Sequence, residues 1–323
     1  MEFHWKDQVI LLTGGTGSFG QKFTEALLKT HKPRALRIFS RDELKQWEME
    51  KRFSDARLRF FLGDVRDESR LRRAMDGVTL VVHAAALKQV PLCEYNPFEA
   101  IKTNVFGAQN IIDAAIDGGV QRVLALSTDK AVNPVNLYGA TKLCAEKLFV
   151  QGNSYAGSRV TRFSCVRYGN VVGSRGSVLP LFLEQRKSGQ ITITDKDMTR
   201  FWITLDQGVK FVVGCVERMR GGEIFVPKIP SMRILDMAAA VAPGCRQKFV
   251  GVRPGEKIHE VLLSEEEARY TVETGDAFVI QPSSMSWSGW KSPVGKPVKP
   301  GFRYASNEND RWLTQKDLKE MIP

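Results

Sequence analysis

The sequence predicts an α/β protein: a doubly wound parallel sheet with a smaller C-terminal lobe. Three observations predict it. Up to about residue 168, short apolar runs alternate with amphipathic stretches. The apolar runs are near-continuous, as strands covered on both faces require. After about Gly173 the rhythm is lost, glycine, proline and basic residues become frequent, and the elements shorten.

Taken in order, the strands are expected at Val9–Thr13, Ala35–Ser40, Leu58–Leu62, Leu80–Ala85, Val123–Ser127 and Arg162–Tyr168. Between them lie helices at Phe19–Lys29, Asp42–Phe53, Glu68–Met75 and Glu99–Gly118, and one opened by Pro134 that runs to about Val150. Alternation at this spacing builds parallel βαβ units with right-handed crossovers. Pro282–Gly301, rich in Gly, Pro, Ser and Lys, reads as a surface excursion or an oligomer contact.

Composition narrows the function. With 43% hydrophobic and 26% charged residues among 323, the chain can bury a large core, which excludes disorder as its main state. No apolar run approaches the ~20 residues that span a bilayer, and Val9–Leu12 breaks too early for a signal peptide. A cytoplasmic protein with no membrane partner is expected. The net charge of +11 comes from 47 basic and 36 acidic residues that are dispersed, with no long Lys/Arg block. An anionic small molecule, and no nucleic acid, is the expected partner. The five cysteines, Cys93, Cys144, Cys165, Cys215 and Cys245, include no C-x-x-C pair and read as buried free thiols rather than a disulfide or metal framework. His83 ends an apolar strand and reads as a core histidine, and Trp5, Trp47 and Trp202 as packing residues.

The first strand runs into Thr13-Gly14-Gly15-Thr16-Gly17-Ser18-Phe19-Gly20, with glycines spaced G-x-x-G-x-x-G. At a strand–helix junction this is a dinucleotide loop: glycine allows the tight turn and the close approach of a pyrophosphate, and the helix offers free N–H groups. The fold expectation is therefore Rossmann-type. A NAD site places Asp or Glu at the end of the second strand; here Ser40 stands there, followed by Arg41. A guanidinium clamps a 2′-phosphate that a carboxylate repels, so NADP is expected, with Lys45 assisting. A capping box formed by Ser40 and Glu43 is the structural alternative, and the two readings are compatible. Asp64 and Val65 are placed to meet the adenine edge, and Ala84-Ala85-Ala86 are small enough to let the cofactor pass.

Tyr138 and Lys142 form Y-x-x-x-K, which puts both on one helix face. A nearby ammonium would bring the phenol pKa down from about 10 towards working pH. Tyr138 is then an acid–base group for alcohol–ketone interconversion, Lys142 a grip on the nicotinamide ribose, and Thr128 a second contact to the same substrate oxygen.

The glycine loop with Tyr138 and Lys142 resembles the extended short-chain dehydrogenase/reductases. Ser40–Lys45, Ala84–Lys88, Ser127–Lys130, Arg167–Ser174, Met198–Trp202 and Arg253–Lys257 resemble the inverting UDP-N-acetylglucosamine 4,6-dehydratases. The resemblance runs to about Ile280. It implies a soluble cytoplasmic enzyme that assembles as a hexamer, retains NADP, acts on UDP-N-acetylglucosamine and opens the pseudaminic acid pathway, which supplies flagellin and surface glycans. The expected domains are an NADP-binding unit over residues 1–173, to which about 203–217 returns, and a substrate-binding lobe and tail over 174–323. The expected cofactor set is Gly14, Thr16, Gly17, Ser18, Phe19, Gly20, Ser40, Arg41, Lys45, Asp64, Val65, Ala85, Lys88, Asn104, Tyr138 and Lys142.

Retaining 4,6-dehydratases carry Asp-Glu where this chain has Asp129-Lys130. The expected chemistry makes Lys130 the base at C5, with a lowered pKa, and Asp129 the acid for the C6 hydroxyl. The resemblance implies that Lys88, Asn170, Val178, Leu181, Thr194, Arg253 and Glu256 contact the UDP-sugar. For Arg253 and Glu256 a structural ion pair is the alternative. Rival functions are a UDP-sugar 4-epimerase, an NADP-dependent reductase and a non-catalytic NADP sensor. Asp129-Lys130 argues against the first two, and the intact Tyr138–Lys142 pair against the third.

Overall fold

The structure, a computed structural model, describes residues 3–173, 178–282 and 294–321. Ser174 and the 283–293 part of the Gly/Pro-rich stretch lie outside the described residues.

The first half alternates as the apolar runs require. It reads β1 (Val9–Thr13), α1 (Ser18–Ala26), β2 (Ala35–Ser40), α2 (Glu43–Phe53), β3 (Leu58–Leu62), α3 (Glu68–Met75) and β4 (Leu80–His83). Then come α4 (Val90–Tyr95), α5 (Pro97–Ile101), α6 (Gly107–Asp117), β5 (Arg122–Leu126), α7 (Leu137–Ala156) and β6 (Arg162–Val166). Every residue of β1 and β4 is buried, because helices cover both faces. β1 pairs in parallel with β2 on one side and β4 on the other. The chain therefore reverses direction across the sheet between β1 and β4, and the crevice that ligands use in such sheets opens there.

The second half supplies β7 (Asn170–Val171), α8 (Val178–Gln185), β8 (Gln190–Ile193), β9 (Thr199–Ile203), α9 (Leu205–Arg218), β10 (Ile224–Pro227), β11 (Ser231–Arg233), α10 (Ile234–Val241) and β12 (Arg246–Phe249). It ends with β13 (Val261–Leu263), α11 (Glu265–Ala268), β14 (Thr271–Glu273), β15 (Ala277–Ile280), β16 (Lys296–Pro297), β17 (Tyr304–Ala305) and α12 (Gln315–Met321). The described strands form a ten-stranded sheet in the order β16-β14-β15-β10-β6-β5-β4-β1-β2-β3. The late strands β10, β14, β15 and β16 thus extend the parallel sheet from its β6 edge. Smaller sheets, β7-β9-β11, β8-β12 and β13-β17, build the lobe. Its own core gathers Leu179, Phe182, Ile191, Trp202, Met232 and Met237. No helix of the described residues is long and apolar enough to cross a membrane.

Several boundaries move for physical reasons. β4 stops at His83, leaving Ala84–Ala86 as loop. The long helix begins at Leu137, not Pro134, because the Asn136 side chain caps it by accepting from the Gly139 N–H at 2.7 Å. β6 ends at Val166 rather than Tyr168. Asp42, not Ser40, caps α2, accepting from the Lys45 N–H at 3.0 Å. Trp47 is exposed, with Lys51 over its ring, so it is no packing residue. Cys93, Cys165 and Cys215 are buried free thiols, whereas Cys144 is exposed.

Two contacts fix α7. Arg167, fully buried just past β6, makes a two-pronged bond to Glu146 of α7 at 2.9 and 2.6 Å. Its other edge meets Glu267 of α11 at 2.9 and 2.8 Å and donates to the Leu262 carbonyl of β13 at 3.0 Å. At the opposite end of α7, a Cβ on Gly139 would lie 2.1 Å from the Lys130 carbonyl oxygen, so only glycine lets the helix lie this close to the 129–131 turn.

Replacing Arg167 with Ala leaves the buried Glu146 carboxylate uncompensated. Denaturant unfolding of that variant should show a loss of about 3–5 kcal/mol; an unchanged midpoint would refute the pinning role. Gly139→Ala must displace the Lys130 backbone, and misplacement of about 1 Å costs on the order of 10²-fold, so kcat should fall by about that factor. Near-native turnover in Gly139→Ala would show that the turn yields without consequence.

Candidate active site

A cleft of about 1530 Å³ opens at the carboxyl ends of β1, β2, β4, β5 and β6. Every residue of the expected cofactor, catalytic and substrate sets lines it except Asn104. Asn104 is buried behind the wall, where its amide brackets Leu87: it accepts from the Leu87 N–H and donates to the Leu87 carbonyl, both at 2.9 Å, and donates to Thr141 at 3.0 Å. It holds the loop before Lys88 and offers no surface to a ligand.

At the loop after β1, Gly14 sits at φ +65, and a Cβ there would come within 2.9 Å of the Ala84–Ala85 backbone. Thr13 fixes that crossing, accepting from the Ala84 and Ala85 N–H groups at 3.2 and 3.3 Å. Its hydroxyl also pairs with His83 Nδ1 at 2.8 Å. Burial, helped by the charge of Lys142, pushes the His83 pKa down to about 3, so this ring is a neutral core group. Gly17 precedes α1 without any side-chain cap, which leaves the first-turn N–H groups for an anion. The loop therefore fits a pyrophosphate.

At the end of β2, the Ser40 hydroxyl accepts from Gln46 at 3.0 Å. The half-exposed Arg41 guanidinium reaches Asp64 at 3.5 Å, and Lys45 pairs with Asp42. Burial pushes the Asp64 carboxyl up, but Arg66 outweighs it, and Asp64 sits below its usual range.

The expected catalytic residues lie where β5 meets α7. Thr128 Oγ1 donates to Asp129 Oδ1 at 2.9 Å. Burial raises the Tyr138 pKa to about 12, against the opposing pull of Lys130. The expectation that Lys142 lowers it is not met: burial dominates, and the Lys142 ammonium donates to the Leu126 carbonyl at 2.8 Å. Burial in turn depresses Lys142.

Lys130 also departs from expectation. Its ammonium lies 3.0 Å from Asp129 Oδ1 and 3.2 Å from Glu260 Oε1. Burial lowers its pKa, but the two carboxylates more than offset this, so Lys130 is raised and rests as an ammonium. Asp129, 1% exposed, is pushed up by burial and by Glu260 against the pull of Lys130. Glu260 goes the other way: burial pushes it up, yet Lys130, Arg200 and Lys257 together hold it below its usual range. Asp129 Oδ2 and Glu260 Oε2 are both buried without a hydrogen-bond partner.

On the substrate side, Asn170 Oδ1 is a buried acceptor without a partner, at the start of β7. Val178, Leu181 and Thr194 form the far wall. Arg253 is exposed, and the Glu256 carboxylate accepts from the Arg253 backbone N–H at 3.4 Å. The Asn136 amide that caps α7 donates to the Gly255 carbonyl at 2.7 Å, tying this segment to the catalytic helix. Burial lowers Lys88, with Lys130 adding to the effect.

Sequence reasoning missed Glu260, Arg200 and Lys257 as members of the charged cluster. Arg200 lay inside a recognised motif, but nothing in the spacing of Glu260 relative to Asp129 signals contact across 131 positions of chain.

The family described as polysaccharide biosynthesis protein matches residues 10–282. The inverting UDP-N-acetylglucosamine 4,6-dehydratase of Campylobacter jejuni subsp. jejuni serotype O:2 is 53% identical, over 97% of this chain and 96% of its own. The UDP-glucose 4-epimerase of Rickettsia canadensis is 41% identical, over 98% and 95%. The X-ray structure of Pen from Bacillus thuringiensis superposes with a TM-score of 0.89 at 37% identity, over 99% of both chains. Sequence, fold and site agree: the chain belongs to the polysaccharide biosynthesis protein family, with the fold of the extended short-chain dehydrogenase/reductases.

Proposed function

We propose that this enzyme removes water from UDP-N-acetylglucosamine, giving a UDP-4-keto-6-deoxy-N-acetylhexosamine with inversion at C5. One observation carries the reading: the Asp129–Lys130 pair shares a cleft with Tyr138 and Lys142, so elimination and oxidation chemistry face one substrate. The Campylobacter relative, matched over almost its whole length, supports it.

A dinucleotide bound in the cleft would supply reversible hydride transfer. The chain supplies the rest. The loop after β1 and the start of α1 would hold the pyrophosphate, and Arg41 and Lys45 the 2′-phosphate of NADP. Lys142 holds the nicotinamide ribose. Tyr138, as its phenolate, takes the C4 hydroxyl proton, with Thr128 orienting the same oxygen. The C4 ketone then acidifies C5. Lys130 takes the C5 proton, and Asp129, which burial makes easier to protonate than an ordinary carboxyl, gives a proton to the departing C6 hydroxyl. Returned to the ammonium, Lys130 faces the enolate it has created. Lys88, Asn170, Thr194, Arg253 and Glu256 hold the UDP-sugar. In the cell the reading places the enzyme in the cytoplasm as a homo-oligomer, feeding pseudaminic acid or a related surface glycan.

The Rickettsia relatives named as 4-epimerases favour a second reading, epimerisation at C4. Incubation with UDP-N-acetylglucosamine and no added reductant separates the two. A 4-keto-6-deoxy product is expected, and UDP-N-acetylgalactosamine as sole product would overturn the dehydratase reading.

Tyr138→Phe should lower turnover by about 10²–10⁴-fold while leaving dinucleotide binding intact. Turnover close to wild type would remove Tyr138 from the mechanism. Arg41→Ala should shift the NADP/NAD affinity ratio towards NAD, measured by titration of cofactor-stripped protein. An unchanged ratio would mean that Arg41 does not contact the 2′-phosphate.

A further inference from the structure

Asn136, two residues before Tyr138, uses its amide twice. Oδ1 accepts from the Gly139 N–H at 2.7 Å, which caps α7. Nδ2 donates to the Gly255 carbonyl at 2.7 Å, within the 253–257 segment that forms part of the cleft wall. Gly255 sits at φ +80, and a Cβ there would lie 3.1 Å from the Asn136 Cβ. Glycine therefore lets this backbone settle directly on the asparagine.

The segment is anchored unevenly. Its far end is fixed by the lobe. Arg200 donates to the Lys257 and Ile258 carbonyls at 2.9 and 3.0 Å. Beyond them, Glu260 N–H donates to Ser306 Oγ at 2.9 Å, and Ser306 N–H donates to the Glu260 carbonyl at 2.8 Å. The near end is a turn closed on itself, in which the Glu256 N–H donates to the Arg253 carbonyl at 3.0 Å. The Lys257 ammonium carries the segment to the Val132 carbonyl at 2.5 Å, in the chain before α7. The Asn136 bond carries the turn itself to the helix of Tyr138. We propose that Asn136 is a positioning residue: it holds the Arg253–Glu256 turn in register with Tyr138, so that a UDP-sugar gripped by the one is presented to the other. This inference rests on the dehydratase reading, which puts the sugar between them.

The two duties of this side chain are chemically separable. The cap needs an acceptor and the tie needs a donor. An amide has both, whereas a carboxylate has acceptors alone. Asparagine and aspartate cap helices about equally well, and a negative charge suits the helix N-terminus. Asn136→Asp therefore keeps the shape and the cap and removes the tie. It also turns a carboxylate oxygen towards the Gly255 carbonyl, which pushes the turn away. Asn136 moves no proton in this scheme and acts through the segment it holds.

The test is Asn136→Asp in the full chain. Its kcat/KM for UDP-N-acetylglucosamine should fall by about 10-fold or more, the cost of a lost hydrogen bond with a repulsion added. Its unfolding midpoint and its affinity for NADP should match wild type, because the cap and the glycine loop are untouched. Asn136→Ser, whose hydroxyl also caps but is shorter and carries no Nδ2, should behave alike. Coupling is read from a double-mutant cycle: Arg253→Ala should cost less in the Asn136→Asp background than in wild type, since there the turn is already out of register. Should Asn136→Asp be recovered unfolded, Asn136→Ser carries the same measurements, and failure of both to fold would make the residue structural and overturn the proposal. It would equally be overturned by wild-type kcat/KM in either folded variant, by stability and NADP affinity falling along with kcat/KM, or by Arg253→Ala costing the same in both backgrounds. Wild-type protein that binds UDP-N-acetylglucosamine but forms no 4-keto product would instead overturn the dehydratase reading. The tie is then read from the dissociation constant for UDP-N-acetylglucosamine, which Asn136→Asp should raise by the same factor and which, if unchanged, overturns the tie as well.

Discussion

Arg167 has been taken wholly out of water, and that burial organises the molecule. A guanidinium in the interior is tolerated only when its donors are paired. Here the partners come from three places: Glu146 on α7, Glu267 on α11 and the Leu262 carbonyl on β13. α7 carries Tyr138 and Lys142, and β13 follows Glu260 directly. One side chain at the end of a sheet strand therefore sets the distance between the Tyr138 and Lys142 side of the cleft and the Glu260 side. The planar fork matters, because a lysine could not serve both carboxylates edge-on.

The same logic of buried charge governs the cleft, with a different outcome. Asp129, Lys130 and Glu260 share one pocket, with Arg200 and Lys257 behind them. Two carboxylates beside one ammonium cannot be equivalent, and their surroundings drive them apart. Asp129 faces burial with Lys130 as its main relief and holds its proton more tightly, while Glu260, flanked by three cations, releases it. Divergence of this kind is how one site holds an acid and a base at the same pH.

Much of this was legible in the sequence, and the limits have physical causes. The six parallel strands and the glycine loop follow from apolar runs and from glycine spacing, which are local signals. Thr128, Asp129, Lys130, Tyr138 and Lys142 lie within 15 positions of one another, so local geometry brings them together. The direction of the Lys130 shift was not legible in full, since adjacent Asp129 is joined in raising it by Glu260 from a distant loop. Asn104 lies behind the cleft wall, and nothing in the sequence tells a residue behind the wall from one on it. The late strands of the large sheet were hidden for a related reason. β10 and β15 are only four residues each, too short to show periodicity, and they are specified by pairing with β6 and with each other.

The clamp made by Ser306 has a consequence for the order in which the chain matures. β17 pairs with β13, and Ser306 grips Glu260 from both sides. These residues leave the ribosome after every other part of the cleft, and N-terminal units fold first during synthesis. The nascent chain therefore completes its dinucleotide loop and the Tyr138 helix well before Glu260 is fastened beside Lys130. Until Ser306 arrives, the Glu260 carboxylate has no backbone clamp to hold it 3.2 Å from the Lys130 ammonium.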